Sequence, residues 1–304
     1  MRKIWLSLVL ICLFCSATSA HISLIKGVHN DRQDPVIKTE KVAGNVYVLF
    51  GQGGNIGVSA GQDGILMIDD QFERLADEIK AALKKLGNEN PRFVFNTHWH
   101  GDHTGGNPVF GANSIIAAHT NVRKRLSTPN SGGRDFKPLP PVGLPMITYN
   151  EGLSVHFNGE EVRAVHYPRG HTDGDTVLFF TGSNVVHLGD NFFAGMFPFV
   201  DLNSGGSVAG LTQNIAELIK IIPSDAKLIP GHGPVSTPAD LKTYHQMLIE
   251  TTSIVREAMK QGKSLEEIKK AGLPEKYKDW SWNFIPTDRW IETIYNEFST
   301  SMKK

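Results

Sequence analysis

Short apolar runs alternate with glycine-rich polar breaks over most of the chain, the pattern of half-buried strands joined by tight turns. From Val42 onward it predicts strands at 45–50, 56–60 and 65–68, separated by Gly51-Gln52-Gly53-Gly54-Asn55 and Gly61-Gln62-Asp63-Gly64. Between 73 and 86 the period changes, with Leu75, Ile79, Leu83 and Leu86 at helical spacing. A short strand at 93–95 runs into a polar loop at 96–107, then a strand at 114–117 and a helix at 120–126. Residues 128–145 are rich in Pro and Gly without a period, which reads as a surface connection or a loop over an active site. Strands return at 154–157, 162–166, 176–180, 185–188 and 227–229, with a helix at 208–222 before the last of them. From Pro238 the pattern is helical to the end, and Trp280, Trp282 and Trp290 are expected to pack as core there. Strands and helices thus fall in two similar blocks, 40–150 and 151–235. That order predicts an α/β fold with two mixed sheets face to face and helices outside.

The N-terminus departs from this pattern. Arg2 and Lys3 precede an apolar run at 4–14 that is broken only by Ser7, and small residues follow at 16–20. This is the layout of a cleavable signal peptide over 1–20, and the run is shorter than the ~20 residues a membrane-spanning helix needs. Residues 21–40 read as a polar lead-in, and the mature protein is expected to be periplasmic or secreted, meeting the membrane only during export. Both cysteines, Cys12 and Cys15, lie inside the signal, so the mature chain would carry no disulfide and no thiolate ligand. Lys+Arg and Asp+Glu balance at 31 each, which gives no reason to expect a nucleic-acid partner.

The candidate chemistry lies in the placement of the 12 histidines. His98-x-His100-x-Asp102-His103 puts three imidazoles and a carboxylate directly after a buried strand. In an extended segment His98 and His100 point the same way and can share one metal. Asp102 and His103 are adjacent and must diverge, which suits a second metal beside the first. Gly101 lets the backbone turn, and Gly105-Gly106 allow close packing beyond. His171, Asp190 and His232 each follow a short apolar strand and sit beside a glycine, where a sheet presents ligands on loops. His119, His156, His166, His187 and His245 read as ordinary surface or core histidines.

This series resembles the metal-binding motifs of the metallo-β-lactamase superfamily over about 40–235, and Ile68-Asp69 resembles the family's early Asp motif. The resemblance implies an αββα sandwich, with the catalytic domain at 41–237 and the helices of 238–304 packed on it. It implies two zinc ions, with other divalent metals such as Fe or Mn as substitutes. His98, His100 and His171 would hold one ion, Asp102, His103 and His232 the other, and Asp190 would bridge them. The implied reaction is hydrolysis of a small-molecule ester, thioester, lactone, amide or phosphoester by a bridging hydroxide. Asp102 would also orient the nucleophile as the catalytic residue. β-Lactam hydrolysis is the runner-up, although some true β-lactamases have Cys or Ser where this chain has Asp190. A metal-dependent accessory protein and a redox-linked di-iron protein are the further alternatives. Walls for the substrate are sought in 128–145 and in Phe192, Phe193, Met196, Phe197 and Phe199.

Overall fold

Alternation along the strands becomes two sheets with two apolar faces each. The computed structural model describes residues 37–302, with 134 excepted, all within one compact unit, Pro35–Lys304. The expected signal peptide and the lead-in up to 36 lie outside the described residues.

The first sheet has seven strands in sequence order: β1 Lys38–Ala43, β2 Val46–Phe50, β3 Ile56–Gly61, β4 Gly64–Ile68, β5 Phe93–Asn96, β6 Ile115–His119 and β7 Ile147–Tyr149. Strands β1 to β4 are antiparallel and β4 to β7 parallel, the latter joined through helices as parallel strands require. The second sheet runs β12-β11-β10-β9-β8, from β8 Gly152–Phe157, β9 Glu160–His166, β10 Thr176–Phe180, β11 Val185–Phe193 and β12 Lys227–His232. The two blocks read from the sequence are these two sheets.

Successive side chains point to opposite faces. Leu66 and Ile68 meet Leu178 and Phe180 of the other sheet in the central core. Ile65 and Met67 pack outward on Leu75, Ile79 and Leu83, from a 3-10 turn and helix α1, Ala76–Lys85. Val177 and Phe179 pack on the opposite outer layer, built from α5 Val208–Ile221, α6 Pro238–Lys260 and α8 Thr287–Met302. The result is the αββα sandwich, with every residue of β10 and β11 buried. Each fully buried large apolar side chain on these strands contributes roughly 1.5–3 kcal/mol to holding the layers together.

Several expectations need correction. The loop at 96–107 contains a helical turn, α2 Gly101–Thr104, and meets α3 Asn107–Phe110. Strand β7 was not expected, because its three residues are too few to show a period. Strand β11 does not stop at Leu188. A bulge at Gly189, whose φ is 51°, shifts the register and the strand continues to Phe193. The C-terminal region is helical in three pieces, with α7 Leu265–Ala271 in the middle and a non-repetitive stretch, including a 3-10 turn at Glu275–Trp280, before α8. The 128–145 segment packs Phe136, Leu139 and Leu144 against Trp99, with Val122 and Leu126 of α4 Thr120–Leu126. It buttresses the sandwich, and none of its described residues lines the pocket described below.

Candidate metal centre

Four chain segments at one rim of the sandwich bring the seven predicted ligands together. His98 and His100 follow β5, Asp102 and His103 ride on α2, and His171 follows β9. Asp190 lies inside β11 just after the bulge, and His232 ends β12. Donor atoms of His98, His100, His171 and Asp190 lie within 4.8 Å of one another, as do those of Asp102, His103 and His232, so each group is able to hold a metal ion. Asp102 and His103 do not diverge. The helical turn of α2 aims both at one point, with Asp102 Oδ2 3.6 Å from His103 Nε2 and 3.3 Å from His232 Nε2.

Asp190 faces both groups, one oxygen to each. Its Oδ2 is 3.4 Å from His171 Nε2 and 3.8 Å from His98 Nε2. Its Oδ1 is 3.1 Å from His103 Nε2 and 3.5 Å from His232 Nε2. His98 Nε2 is buried without a hydrogen-bond partner among the described residues. Such an orphan normally costs about 1–3 kcal/mol, and a bound cation satisfies it. An oxygen- and imidazole-rich set of this kind suits a divalent ion of zinc's type. The residues therefore fit the two metals the family resemblance implies.

The other side of each imidazole is also held. Asp69 Oδ2 accepts from His103 Nδ1 at 2.7 Å and from Thr97 Oγ1 at 2.7 Å. Thr97 Oγ1 in turn lies 3.0 Å from His98 Nδ1. His171 Nδ1 donates to the Phe199 carbonyl at 2.6 Å. His100 is reversed: its Nε2 meets Asp201 Oδ2 at 2.8 Å and its Nδ1 faces His171 Nε2 at 2.8 Å. Asn55, fully enclosed behind the centre, donates to the carbonyls of Pro230 and Gly233 and so steadies the loop bearing His232. Buried His187 lies 3.0 Å from the Asn55 carbonyl. Asp201 was not singled out from the sequence; its only trace there is a lone carboxylate between Val200 and Leu202.

Glycine matters at two points. A Cβ on Gly231 would stand 2.0 Å from Asp190 Oδ1, and one on Gly54 would stand 2.0 Å from the His103 ring. Gly105 and Gly106 pack against backbone as expected, whereas Gly101 has open space around it.

Charge divides the imidazoles into two kinds. Burial pushes His103 down, but Asp190, Asp102 and Asp69 outweigh it and hold its pKa well above the ordinary value. His232 is likewise opposed by burial yet raised to about 9 by Asp190 and Asp102. Burial, with His103 adding to it, keeps His98 well below the ordinary value. Burial also takes His100 down to about 4 against the pull of Asp201. Burial would raise Asp190, but His103, His232 and His171 hold it well below the usual carboxylate range. His98 and His100 thus favour the neutral imidazole ready to donate a lone pair, whereas His103 and His232 carry protons that a metal must displace.

The centre opens into a cavity of about 430 Å³ lined by its own residues and by Gln52, Phe72, Phe193, Phe199, Trp282 and Phe284. Of the five positions sought as walls, Phe193 and Phe199 line it, Phe192 and Phe197 are core, and Met196 packs half-buried on the core. Trp290 is core as expected, and Trp280 and Trp282 pack half-buried on the same cluster, Trp282 also lining the cavity.

The fold, the ligand-ready cluster and its order along the chain define a member of one family. The sequence profile of the Metallo-beta-lactamase superfamily matches residues 40–233, and the chain belongs to that superfamily. It is 30% identical over 193 residues to the lactamase-like protein adaB of Aspergillus niger, covering 62% of this chain and 53% of that protein. It is 31% identical over 116 residues to the atrochrysone carboxyl ACP thioesterase of Emericella nidulans, covering 38% of this chain and 32% of that one. The chain therefore spans about half the length, or less, of these curated relatives. Among solved structures, the sec-alkylsulfatase Pisa1 from Pseudomonas sp. superposes with a TM-score of 0.65 at 15% identity, over 86% of this chain and 50% of that one. The DIM-1 metallo-beta-lactamase gives 0.58 at 20% identity, over 71% of this chain and 98% of the other. At such identities the structural likeness shows the shared fold.

Proposed function

We propose that this chain is an exported dizinc hydrolase that cleaves an ester, thioester, lactone, amide or phosphoester of a small molecule. The observation that carries the reading is the Asp190 carboxylate, which offers one oxygen to each of two complete donor groups. His98, His100 and His171 would hold one ion, and Asp102, His103 and His232 the other, with Asp190 shared between them. Divalent ions held in this way supply Lewis acidity and lower the pKa of a water from about 16 to near 7.

The chain's own contribution is orientation and exclusion of bulk water. Asp69, Asp201 and the Phe199 carbonyl fix the tilt of His103, His100 and His171. Asp102 lines the cavity and is the most exposed of the seven, 32% at its side chain. Burial opposes its ionisation, yet His103 and His232 hold its pKa well below the usual range. Asp102 is assigned to holding the second ion and orienting the attacking water through its accepting oxygens. Export is proposed from the basic, apolar and small-residue order of 1–20 alone.

The test is metal analysis of the mature protein (21–304), paired with a chromogenic panel of a cephalosporin, a lactone, a thioester, a phosphodiester and an aryl ester. About two zinc per chain, with turnover abolished by chelator, is the expected result. Asp102→Asn should lose turnover and bind the second ion more weakly, because its carboxylate is one of that ion's three proposed ligands. Folded protein that takes up no metal would refute the reading, and turnover of the cephalosporin alone would move it to β-lactam hydrolysis.

A further inference from the structure

The superfamily match ends at 233, yet part of the cavity wall comes from beyond it. Between the 3-10 turn Glu275–Trp280 and α8, the chain crosses the rim and sets Trp282 and Phe284 over the centre. These rings complete a collar of aromatic contacts that starts on one donor group and ends on the other. His232 stacks on Phe193, with ring centroids 5.1 Å apart and planes within 14°. Trp282 lies 6.3 Å from His232 and 6.2 Å from Phe193. Phe284 is 5.6 Å from Trp282 and 5.4 Å from Phe199. Phe199 closes the circuit at 5.6 Å from His100.

The collar is held in place rather than draped. Trp282 Nε1 donates to the Phe197 carbonyl at 2.9 Å, and Phe197 N donates to the Trp280 carbonyl at 2.9 Å. Buried Ile285 anchors the turn, its carbonyl taking Trp282 N at 3.3 Å. Behind the wall, the Arg289 guanidinium lies 4.4 Å from the Phe284 ring and 5.3 Å from that of Phe199, and its Nη1 donates to the Phe284 carbonyl at 2.7 Å. Apart from the proposed ligands, Gln52 is the one polar side chain among the described residues lining the cavity. Rigid π-faces packed round a reactive centre favour a flat apolar group, since aromatic pairs gain beyond simple area burial. A cavity of about 430 Å³ falls in the range that encloses a small ligand.

The geometry points to a substrate whose group beside the scissile bond is uncharged, planar and aromatic, and to Trp282 as the residue that selects it. This rests on the hydrolase reading above, and it assigns the specificity of the site to the C-terminal segment.

The test uses the full mature protein and two substrates with one leaving group, the 2-naphthoyl and acetyl thioesters of the same thiol. Naphthoyl should be preferred at least tenfold in kcat/KM. In Trp282→Ala that ratio should collapse toward one, mainly through KM, with metal content unchanged; Trp282→Phe should keep most of it. A wild-type ratio near one, or a ratio that Trp282→Ala leaves intact, overturns the inference. Calorimetric binding of neutral 2-naphthamide separates this from failure of the hydrolase reading. If no thioester is turned over, binding that weakens at least tenfold in Trp282→Ala still supports the collar's role, and no binding to the wild type overturns it.

Discussion

His100 presents Nδ1 to its donor group because Asp201 takes Nε2 at 2.8 Å, and Ser204 Oγ steadies the same carboxylate oxygen at 2.8 Å. Carboxylates placed behind a ligating imidazole fix its tautomer and tilt, and their loss typically costs about 10–100-fold in metal affinity. Asp201→Ala should weaken zinc binding by that order, measured by competition with a chromogenic chelator. Asp201→Asn, which keeps an accepting oxygen, should lose less. Affinity within twofold of wild type for the Ala variant would show that His100 is oriented by its packing on Phe199 instead. The cluster of seven candidate ligands was legible because His and Asp beside glycine at strand ends are unusual in sequence. Asp201 was not, since its partner lies 101 positions away and nothing local distinguishes a carboxylate that faces inward. Trp282 was legible only as core packing: composition says a tryptophan is covered, but only the path of the chain sets its other side on the cavity.

At the scale of elements, long periodic segments were readable and short or interrupted ones were not. Both sheets and the helices α1, α4 and α5 follow their apolar periods, whereas β7 and α2 are too brief to have one. The extension of β11 past Gly189 was hidden because the bulge breaks the alternation at the point where Asp190 turns toward the histidine cluster. Helix α6 carries its own start signal in Thr237-Pro238-Ala239-Asp240. Thr237 Oγ1 accepts from Asp240 N at 3.4 Å, while Asp240 Oδ2 accepts from Thr237 N at 2.8 Å. This capping box begins the helix that lays Leu241, Tyr244, Met247 and Leu248 over the second sheet. Thr237→Ala should lower unfolding stability by about 1 kcal/mol in urea titration, without altering metal content. A loss below roughly 0.3 kcal/mol would mean the box contributes nothing beyond what water supplies at this exposed end.

Across the whole molecule, the two sheets are clasped at the ends of β6 and β9, where His119 of the first stacks on His166 of the second. Their centroids are 3.8 Å apart and their planes within 12°. Both rings serve as neutral imidazoles: His119 Nδ1 accepts from Asn121 N at 3.2 Å to start α4, and His166 Nδ1 donates to the Asp175 carbonyl at 2.9 Å. His119 is only 6% exposed. Burial first, then the neighbouring His166, lowers its pKa to about 4, against weaker upward pulls from the Asn150 backbone and Asp173. Burial lowers His166 as well, opposed by the Asp175 backbone and Asp173. Above pH ~6.5 both folded and unfolded chains hold these rings neutral, and the clasp contributes no pH dependence. As pH falls from there toward 4, the unfolded chain takes up protons that the folded one refuses, so stability is lost on acidification. For His119 the loss between pH 7.5 and 5 should be on the order of 2 kcal/mol. His119→Asn keeps an N-cap acceptor and removes the titrating ring. Acid release of bound metal is common to wild type and variant, so the difference between their urea stabilities isolates the clasp. Wild type should be clearly the more stable at pH 7.5, with its advantage shrinking by that amount at pH 5. An advantage that stays constant over this interval would show that the stacked pair accepts its proton without strain and that the sheets are held at this rim by packing alone.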